Sequence, residues 1–466
     1  MLASTSMGIS VEKQLRARYY KLCDPRESLP HDDKRLVFDG AVAKARGRDW
    51  VEKLAGQVEL SQLSGGAAFE LFTGLPGSGK STELHRLKAR LEEREGAHLL
   101  AVLIDAEGVI DLFNTIDVPD ILVAILAETE RRVLEAEGED PSNALKDGAL
   151  RRFWNWLTET EVELKEVAAT AGVDVGLPGV GKASVGGRLV LDLKTRPLLR
   201  AKVRATLDGQ LTPFIAQIME AIGELDGRAK AAGYEGLVVI FDSLEKLQGT
   251  TSNWKDVLAS AEQVFANRAA QLHLPVHVLY TIPMALILRI RASVTLLPML
   301  KLHERDGEPA AGFEAARELI RRRIPDEHLD EFFGAPNREA RVKRLIEWSG
   351  GYPREIVRLL RNCVAEPFLD EELFERILST AADEYRRTVL SSAYPLLARL
   401  FVDKPSQVLE QEEQREMVDR LLQNNVVLGY LNGEPWYDIH PAVQTLKGIT
   451  DEIARLRAER AGAGRR

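Results

Sequence analysis

The stretch Phe72-Thr73-Gly74-Leu75-Pro76-Gly77-Ser78-Gly79-Lys80-Ser81-Thr82 decides the fold of this 466-residue chain. The apolar run Ala68–Thr73 leads into it and predicts a short buried strand. After Lys80 the pattern becomes helical, because leucines from Leu84 to Leu91 recur on one face. A second strand is predicted at Leu99–Ile104, where every residue is apolar. Strand, glycine-rich loop, helix and strand in this order predict a parallel α/β sheet.

The loop fits the pattern G-x-x-x-x-G-K-[S/T] in full, between a strand and a helix as that motif requires. Its glycines let backbone N–H groups turn towards phosphate oxygens, and the helix that follows adds its positive N-terminal dipole. Lys80 can reach the β- and γ-phosphates, and the Ser81 hydroxyl can join the coordination shell of Mg²⁺. We therefore expect ATP and Mg²⁺ as ligands. The nucleotide-binding residues predicted are Gly74, Leu75, Pro76, Gly77, Ser78, Gly79, Lys80, Ser81 and Thr82.

A second acidic anchor for the metal is predicted at the end of another buried strand, Leu237–Phe241. Asp242 follows this strand directly, at the edge of a parallel sheet where ligands bind. Asp242 is thus a predicted metal ligand together with Ser81, and the alternative role is a helix N-cap. Glu245, three residues later, is the predicted catalytic carboxylate that orients or deprotonates water; alternatively it is a solvated helix residue paired with a lysine.

The segment Gly176–Ala183 nearly repeats the glycine loop, yet we do not expect a second nucleotide site there. Ala183 has no hydroxyl for a metal, and Val173–Val175 is a poor buried strand. A glycine-rich hairpin fits this segment better, and a loop that contacts a partner is the alternative.

Overall composition agrees with a globular protein of several domains, since 45% of residues are hydrophobic and 29% are charged. A net charge of −9 argues against a dedicated nucleic-acid binder. Cys23 and Cys363 lack metal-ligand spacing, so we expect a reducing compartment and a cytoplasmic protein. The apolar run Val276–Leu288 is too short to span a membrane and predicts a buried strand entering a helix, with no membrane partner.

The order of patterns along the chain predicts its domain organisation. The sheet core includes a long helical insertion, and helical patterns then dominate up to the C-terminal region. There a helix ends near Asn424, and alternating residues flank the turn signal Asn432-Gly433, as in a small winged-helix domain. The predicted parts are an N-terminal extension (1–65), a P-loop core (66–300, with the insertion at 110–235), a helical lid (301–390), a winged-helix-like domain (391–448) and a polar tail (449–466).

On these residues the chain resembles the P-loop ATPases of the AAA+ and STAND classes. The spacing of Asp242 and Glu245 is similar to that of STAND switches, whereas Ser243 stands where many AAA+ proteins place the catalytic glutamate. Ser349–Glu355 is similar to the lid segment of origin-recognition-type ATPases, where a winged helix follows the lid. The string Phe72–Leu84 is also similar to uncharacterised bacterial ATPases, some near phage-defence genes.

The resemblance implies further roles for residues outside the loop. Arg354, after Pro353, corresponds to the arginine that touches the γ-phosphate, and an ordinary surface arginine is the alternative. Thr281, at a strand end, is a weaker candidate for a phosphate sensor. AAA+ rings also use an arginine from a neighbouring subunit, and the candidates here are Arg289, Arg291, Arg321, Arg322 and Arg323.

Three functions fit the sequence. The first is an ATP-dependent switch that couples the nucleotide state to lid movement and to a protein partner or self-assembly. The second is a DNA-binding loader or regulator, which we favour less because the helix before the predicted wing is rich in glutamate. The third is a small-molecule kinase, against which the C-terminal helical and winged segments argue.

Overall fold

The computed structural model describes residues 11–38, 40–140, 148–149, 151–153, 156, 194, 204, 210–247, 249–408 and 411–463. The chain divides into two compact units. The sheet unit comprises the described residues of Val51–Thr73 and Glu83–Leu296. The loop-and-lid unit comprises those of Met1–Trp50, Gly74–Thr82 and Leu297–Arg466. The domain boundaries predicted at 65, 300, 390 and 448 stay predictions.

The sheet unit is built on five parallel strands in the order β2-β3-β4-β1-β5. They are β1 Phe69–Thr73, β2 Leu100–Asp105, β3 Leu237–Asp242, β4 His277–Thr281 and β5 Val294–Leu296. The first four confirm the strands predicted from their apolar runs, and β5 is an addition of three residues. All residues of β3 and β4 are buried, as expected for inner strands covered on both faces. The predicted α/β fold with a parallel sheet is confirmed.

Among the helices that precede the last strand of the sheet, the one predicted after Lys80 is present. A capping box between Asp117 and Asp120 begins the helix at Val118, and Gly138 in left-handed conformation ends it. Two further sequence patterns, a glycine-rich alternating one at 170–192 that predicts a hairpin and a helical one at about 144–168, fall wholly and largely outside the described residues, respectively. The helices are α1 Val11–Leu22, α2 Gly40–Ala45, α3 Trp50–Leu63, α4 Lys80–Glu92, α5 Ala106–Val109, α6 Val118–Glu137, α7 Leu211–Ala231 and α8 Trp254–Glu262.

After the sheet the chain is mainly helical, as predicted. Gly350 and Gly351 both have positive φ and separate two helices of this region, so the helix that begins at Pro353 starts in a new direction. The helices are α9 Gly312–Arg321, α10 Asp326–Phe333, α11 Arg338–Ser349, α12 Pro353–Ala365, α13 Glu371–Thr388, α14 Tyr394–Asp403, α15 Arg415–Gln423, α16 Pro441–Gln444 and α17 Lys447–Ala463.

The C-terminal region contains the predicted helix followed by a hairpin. Antiparallel strands β6 Val427–Asn432 and β7 Glu434–Ile439 are joined at Gly433, whose φ is +76°. The rings of Tyr430 and Trp436 stack across the pair at 4.6 Å. This arrangement agrees with the pattern on which a winged helix is predicted, and that name stays a prediction. Among the described residues, no helix is long and apolar enough to cross a membrane.

Candidate functional site

The glycine loop has the backbone conformation that its sequence requires. Gly77 and Gly79 have φ of +80° and +101°, a region that side-chain-bearing residues rarely adopt. A Cβ atom on Gly74 would stand 2.8 Å from the carbonyl oxygen of Leu297. Each of the three glycines in the motif is therefore needed, two for their torsion angle and one for close packing.

Lys80 folds its side chain back over this loop. Its Nζ donates to the carbonyl oxygens of Gly74 at 2.9 Å and of Leu75 at 3.2 Å, and the side chain is buried. Helix α4 begins at the same residue, so the positive end of its dipole and the Lys80 ammonium group are both beside the glycine loop. An ammonium group and a helix N-terminus beside a glycine loop supply the positive charge that a polyphosphate requires.

Thr82, the last of the predicted nucleotide-binding residues, contacts the N-terminal segment. The backbone N–H of Leu29 donates to the Thr82 hydroxyl at 3.3 Å. The Ser78 hydroxyl is buried, whereas Ser81 is half-buried at the first turn of α4. Thr82 therefore already has a partner in the chain, and Ser81 is the better placed hydroxyl for a metal.

Arg354 lies against the loop, at Gly77. A Cβ atom on Gly77 would stand 2.8 Å from both Cβ and Nε of Arg354, and 2.7 Å from Cε2 of Tyr352. Arg354 occupies the first turn of α12, directly after Pro353. Its cationic side chain opposes the helix dipole there, so an anion at the loop would stabilise it. The structure thus brings together the predicted lid arginine and the predicted phosphate loop.

The segment that carries Arg354 is held firmly on its other side. Asn425 Nδ2 donates to the Tyr352 hydroxyl at 3.1 Å, and the Tyr430 hydroxyl donates to the carbonyl of Gly350 at 2.6 Å. Burial raises the pKa of Tyr352 to about 12, against the opposing effect of the Arg354 guanidinium. A Cβ on Gly351 would stand 1.8 Å from Leu300 O, so the sequence Gly350-Gly351 allows this close packing.

Sequence patterns alone did not identify Arg46, which follows α2 in the N-terminal extension. This arginine is 5% exposed, and its Nη2 donates to the carbonyl of Ser78 at 2.5 Å. Arg46 belongs to no known motif. The segment Ala45-Arg46-Gly47-Arg48 contains two arginines with similar sequence neighbours, so the sequence does not distinguish them. The buried one of the two contacts the loop, and the other is exposed.

The predicted acidic residues belong to the sheet unit. Asp242 ends β3, is 6% exposed, and accepts a hydrogen bond from the N–H of Ser243 at 2.6 Å. Ser243 is in left-handed conformation with φ of +67°, which turns the chain sharply after the strand. Glu245 lies in the short helical turn Leu244–Lys246 and is buried. It is thus not the solvated helix residue of the alternative interpretation.

The hydroxyl of Thr281 has a structural role in this turn. It accepts a hydrogen bond from the N–H of Leu244 at 3.0 Å and donates to the carbonyl of Phe241 at 3.3 Å. Because both bonds fix the backbone on either side of Asp242, Thr281 orients the acidic turn. These contacts favour an orienting role over the role of a phosphate sensor.

The predicted site residues therefore fall into two groups. The loop residues, Lys80 and Arg354 are assembled within the loop-and-lid unit, and Asp242 and Glu245 are assembled within the sheet unit. Joint metal coordination by Ser81 and Asp242 stays a prediction. The segment Gly176–Ala183, for which no nucleotide site is expected, lies outside the described residues.

The arginines considered as fingers for a neighbouring subunit differ in their surroundings. Arg289 pairs with Glu262 at 2.8 Å, and Arg321 pairs with Asp326 at 3.3 Å. The remaining ones are Arg291, which is exposed; Arg322, which pairs with Glu318; and Arg323, which is buried and whose pKa burial lowers to about 10. The three consecutive arginines thus have different surroundings, at and just after the end of α9.

Comparison with known proteins gives distant structural similarity. No family model and no curated protein matches the sequence. The structure is similar to the Walker-type ATPase PABY2304 of Pyrococcus abyssi, at 14% identity and a TM-score of 0.40, covering 91% of this chain and 99% of that one. It is similar to the Aeropyrum pernix ORC2 protein in ADPNP–ADP complexes at 12% identity and a TM-score of 0.39, covering 94% and 98%. Similarity at this level does not show an activity for this chain.

Proposed function

We propose that this chain is an ATP-binding and ATP-hydrolysing switch of the AAA+ or STAND type. The observation that carries the proposal is the contact of Arg354 with Gly77 in the glycine loop. A cation from the lid segment stands at the loop that would hold phosphate. A change in the charge of the bound phosphate would therefore act directly on the lid.

The residues present fit a magnesium–nucleotide complex. Backbone groups of Gly74–Lys80 and the Lys80 ammonium match the negative charge of the phosphates, and oxygen ligands from Ser81 and Asp242 match the preference of Mg²⁺. When bound, Mg²⁺ would neutralise charge that develops on the transferred phosphoryl group. The chain itself positions the phosphates through the loop and holds the acidic turn rigid through Thr281.

Glu245 is the proposed group for orienting the attacking water. It is buried in the turn next to Asp242, and that turn is fixed by the hydrogen bond from Leu244 N–H to Thr281. A carboxylate in a rigid turn keeps its position during the reaction, which is the main protein contribution to phosphoryl transfer.

The proposed partner is a protein, either another molecule or a second copy of this chain. The helix–hairpin region has glutamates at 412, 413 and 416 before β6, and Glu434 at the turn. Phosphate contacts dominate DNA affinity and need cationic side chains. A DNA-binding regulator is the alternative function, and a salt-dependent gel shift with duplex DNA would distinguish the two. A setting in phage defence belongs to the same proposal.

The proposal is tested first at Lys80. Lys80→Ala removes the ammonium that lies in the loop, so ATP binding should be lost in isothermal titration calorimetry. Lys88→Ala is the matched control, because Lys88 lies on the same helix and pairs with Glu92 at 2.6 Å, away from the glycine loop. Unchanged ATP affinity in Lys80→Ala would refute the proposed site.

A second test addresses hydrolysis. Glu245→Gln keeps the size of the side chain and removes its charge, so ATP should still bind while turnover falls by roughly 10²-fold or more. Phosphate release measures turnover, and calorimetry measures binding. Full turnover in this variant would exclude Glu245 as the catalytic carboxylate, and ATP binding by the loop would still stand.

A further inference from the structure

Arg46 contacts the glycine loop through the backbone. Its Nη2 donates to Ser78 O at 2.5 Å, and the same nitrogen would stand 3.3 Å from a Cβ atom on Gly79. The carbonyl of Ser78 and the N–H of Gly79 belong to one peptide plane. In a trans peptide these two groups point in opposite directions. The bond to Arg46 therefore also fixes the direction of the Gly79 N–H.

We propose that Arg46 is a positioning residue for the phosphate-binding backbone, acting by holding the Gly79 N–H in its ligand-binding orientation. This inference rests on the proposed function. Gly79 has a φ of +101°. Because a glycine populates positive and negative φ about equally, the peptide plane before Gly79 could rotate easily without a further contact. A bond to one end of the peptide plane removes that freedom before the nucleotide arrives, which reduces the entropy lost on binding.

The anchor is itself rigid. The Arg46 N–H donates to Val42 O at 2.9 Å, and Trp50 Nε1 donates to Arg46 O at 3.2 Å. The carbonyl of the preceding residue, Ala45, accepts from Lys301 N at 3.2 Å. Because the backbone on both sides of Arg46 is fixed, its guanidinium can hold the loop peptide in one orientation.

The ligand class follows from the group that is oriented. Backbone N–H groups of such a loop bind the α- and β-phosphates, which ATP and ADP share. Loss of Arg46 should therefore weaken both nucleotides by the same factor. Loss of Arg354, which is proposed to read the γ-phosphate, should change their ratio. The two arginines thus have separate signatures.

The experiment compares Arg46→Met with Arg48→Met in the full chain. Met keeps the length of the apolar stem and removes the donor, and Arg48 is an exposed neighbour whose guanidinium lies over the Trp50 ring at 5.4 Å. Calorimetry with ATP and with ADP should show roughly tenfold weaker binding of both to Arg46→Met, with an unchanged ratio. Arg48→Met should bind both as the wild type does.

A second readout separates positioning from general destabilisation. In nucleotide-free protein labelled with ¹⁵N-glycine, the Gly79 amide resonance, assigned by its loss in Gly79→Ala, should shift in Arg46→Met and stay in place in Arg48→Met. If Arg46→Met does not fold, Arg46→Gln, which is too short and uncharged, replaces it under the same criteria. Wild-type affinity for both nucleotides, or an unmoved Gly79 resonance, would overturn the inference. Absence of nucleotide binding to the wild type would instead refute the proposed function.

Discussion

At the scale of single residues, the contact between Gly77 and Arg354 explains the identity of both. Gly77 has to lack a side chain because Tyr352 and Arg354 occupy the space of its Cβ atom. Arg354 in turn stands at the start of α12, where a cation is unfavourable unless an anion is near. The two residues are 277 positions apart in the sequence, and the contact between them explains why each residue type is needed.

Arg354→Ala should reduce the discrimination between ATP and ADP, because the cation at the loop is lost while the loop itself remains. We expect the ratio of the ATP affinity to the ADP affinity, measured by calorimetry, to change by roughly fivefold or more, towards equal binding of the two nucleotides. Arg361→Ala is the control from the same helix, since Arg361 lies over the Tyr20 ring at 4.0 Å and pairs with Asp24. An unchanged ratio in Arg354→Ala would remove its role as a sensor.

At the scale of elements, helix α12 is held at both of its ends. Its first turn carries Arg354 against the loop, and at its other end Arg16 of α1 donates to the carbonyls of Val364 and of Glu366, the residue that follows the helix. Arg16 also donates to Pro367 O at 2.8 Å. These bonds satisfy carbonyl groups that have no partner within the helix. The N-terminal helix α1 therefore helps to hold the helix that carries Arg354.

Gly77→Ala should disturb this element more than the same change elsewhere. Its Cβ would meet Tyr352 and Arg354, whereas a Cβ on Gly433, with a similar φ of +76°, would meet no atom within 4 Å. Gly433→Ala therefore measures the torsional cost alone, about 1–2 kcal/mol, or a few degrees in Tm. We expect Gly77→Ala to lower Tm further and to weaken ATP binding. Equal losses of Tm in Gly77→Ala and Gly433→Ala would show that Tyr352 and Arg354 move away from the added methyl group without a loss of stability.

At the scale of the whole molecule, two buried groups on β7 and after it make stability depend on pH in opposite directions. Burial lowers the pKa of His440 from 6.5 to about 3. The stability that neutral His440 contributes to the folded state is therefore fully present above pH 6.5 and is lost as the pH falls towards 3. Burial raises the pKa of Asp438 from 3.8 to about 6, outweighing the nearby Lys404. Stability from Asp438 is present below pH 3.8 and is lost as the pH rises through 6.

Asp438→Asn should therefore stabilise the protein at neutral pH. The gain follows from removing a buried charge, amounts to at most about 3 kcal/mol, and should disappear as the pH approaches 4. Thermal unfolding at pH 7.5 and at pH 4 measures it, and Asp451→Asn, which alters an exposed carboxylate, is the control. A variant less stable than the wild type at pH 7.5 would mean that the pair with Lys404 outweighs burial.

The sequence predicted the strands and the loop because their signals are local. The apolar run at Leu237–Phe241 and the glycine spacing at Gly74–Ser81 each depend on a few neighbouring residues. Arg46 could not be predicted, because its role depends on one hydrogen bond across 32 positions and on which of two similar arginines is buried. The order of strands was also beyond the sequence, since pairing of β1 with β4 depends on packing of the whole sheet.

The strand order has a consequence for biosynthesis. Strand β1 ends at Thr73, and its partners in the sheet, β4 and β5, begin at His277 and Val294. At typical rates of translation, the ribosome needs roughly 10 to 40 s to add the residues between β1 and β4. During that interval both edges of an apolar strand lack the neighbours they have in the finished sheet. The strand that leads into the glycine loop is thus synthesised first but pairs only after the last strands of its sheet have been made. Until then its unpaired edges are accessible to chaperones.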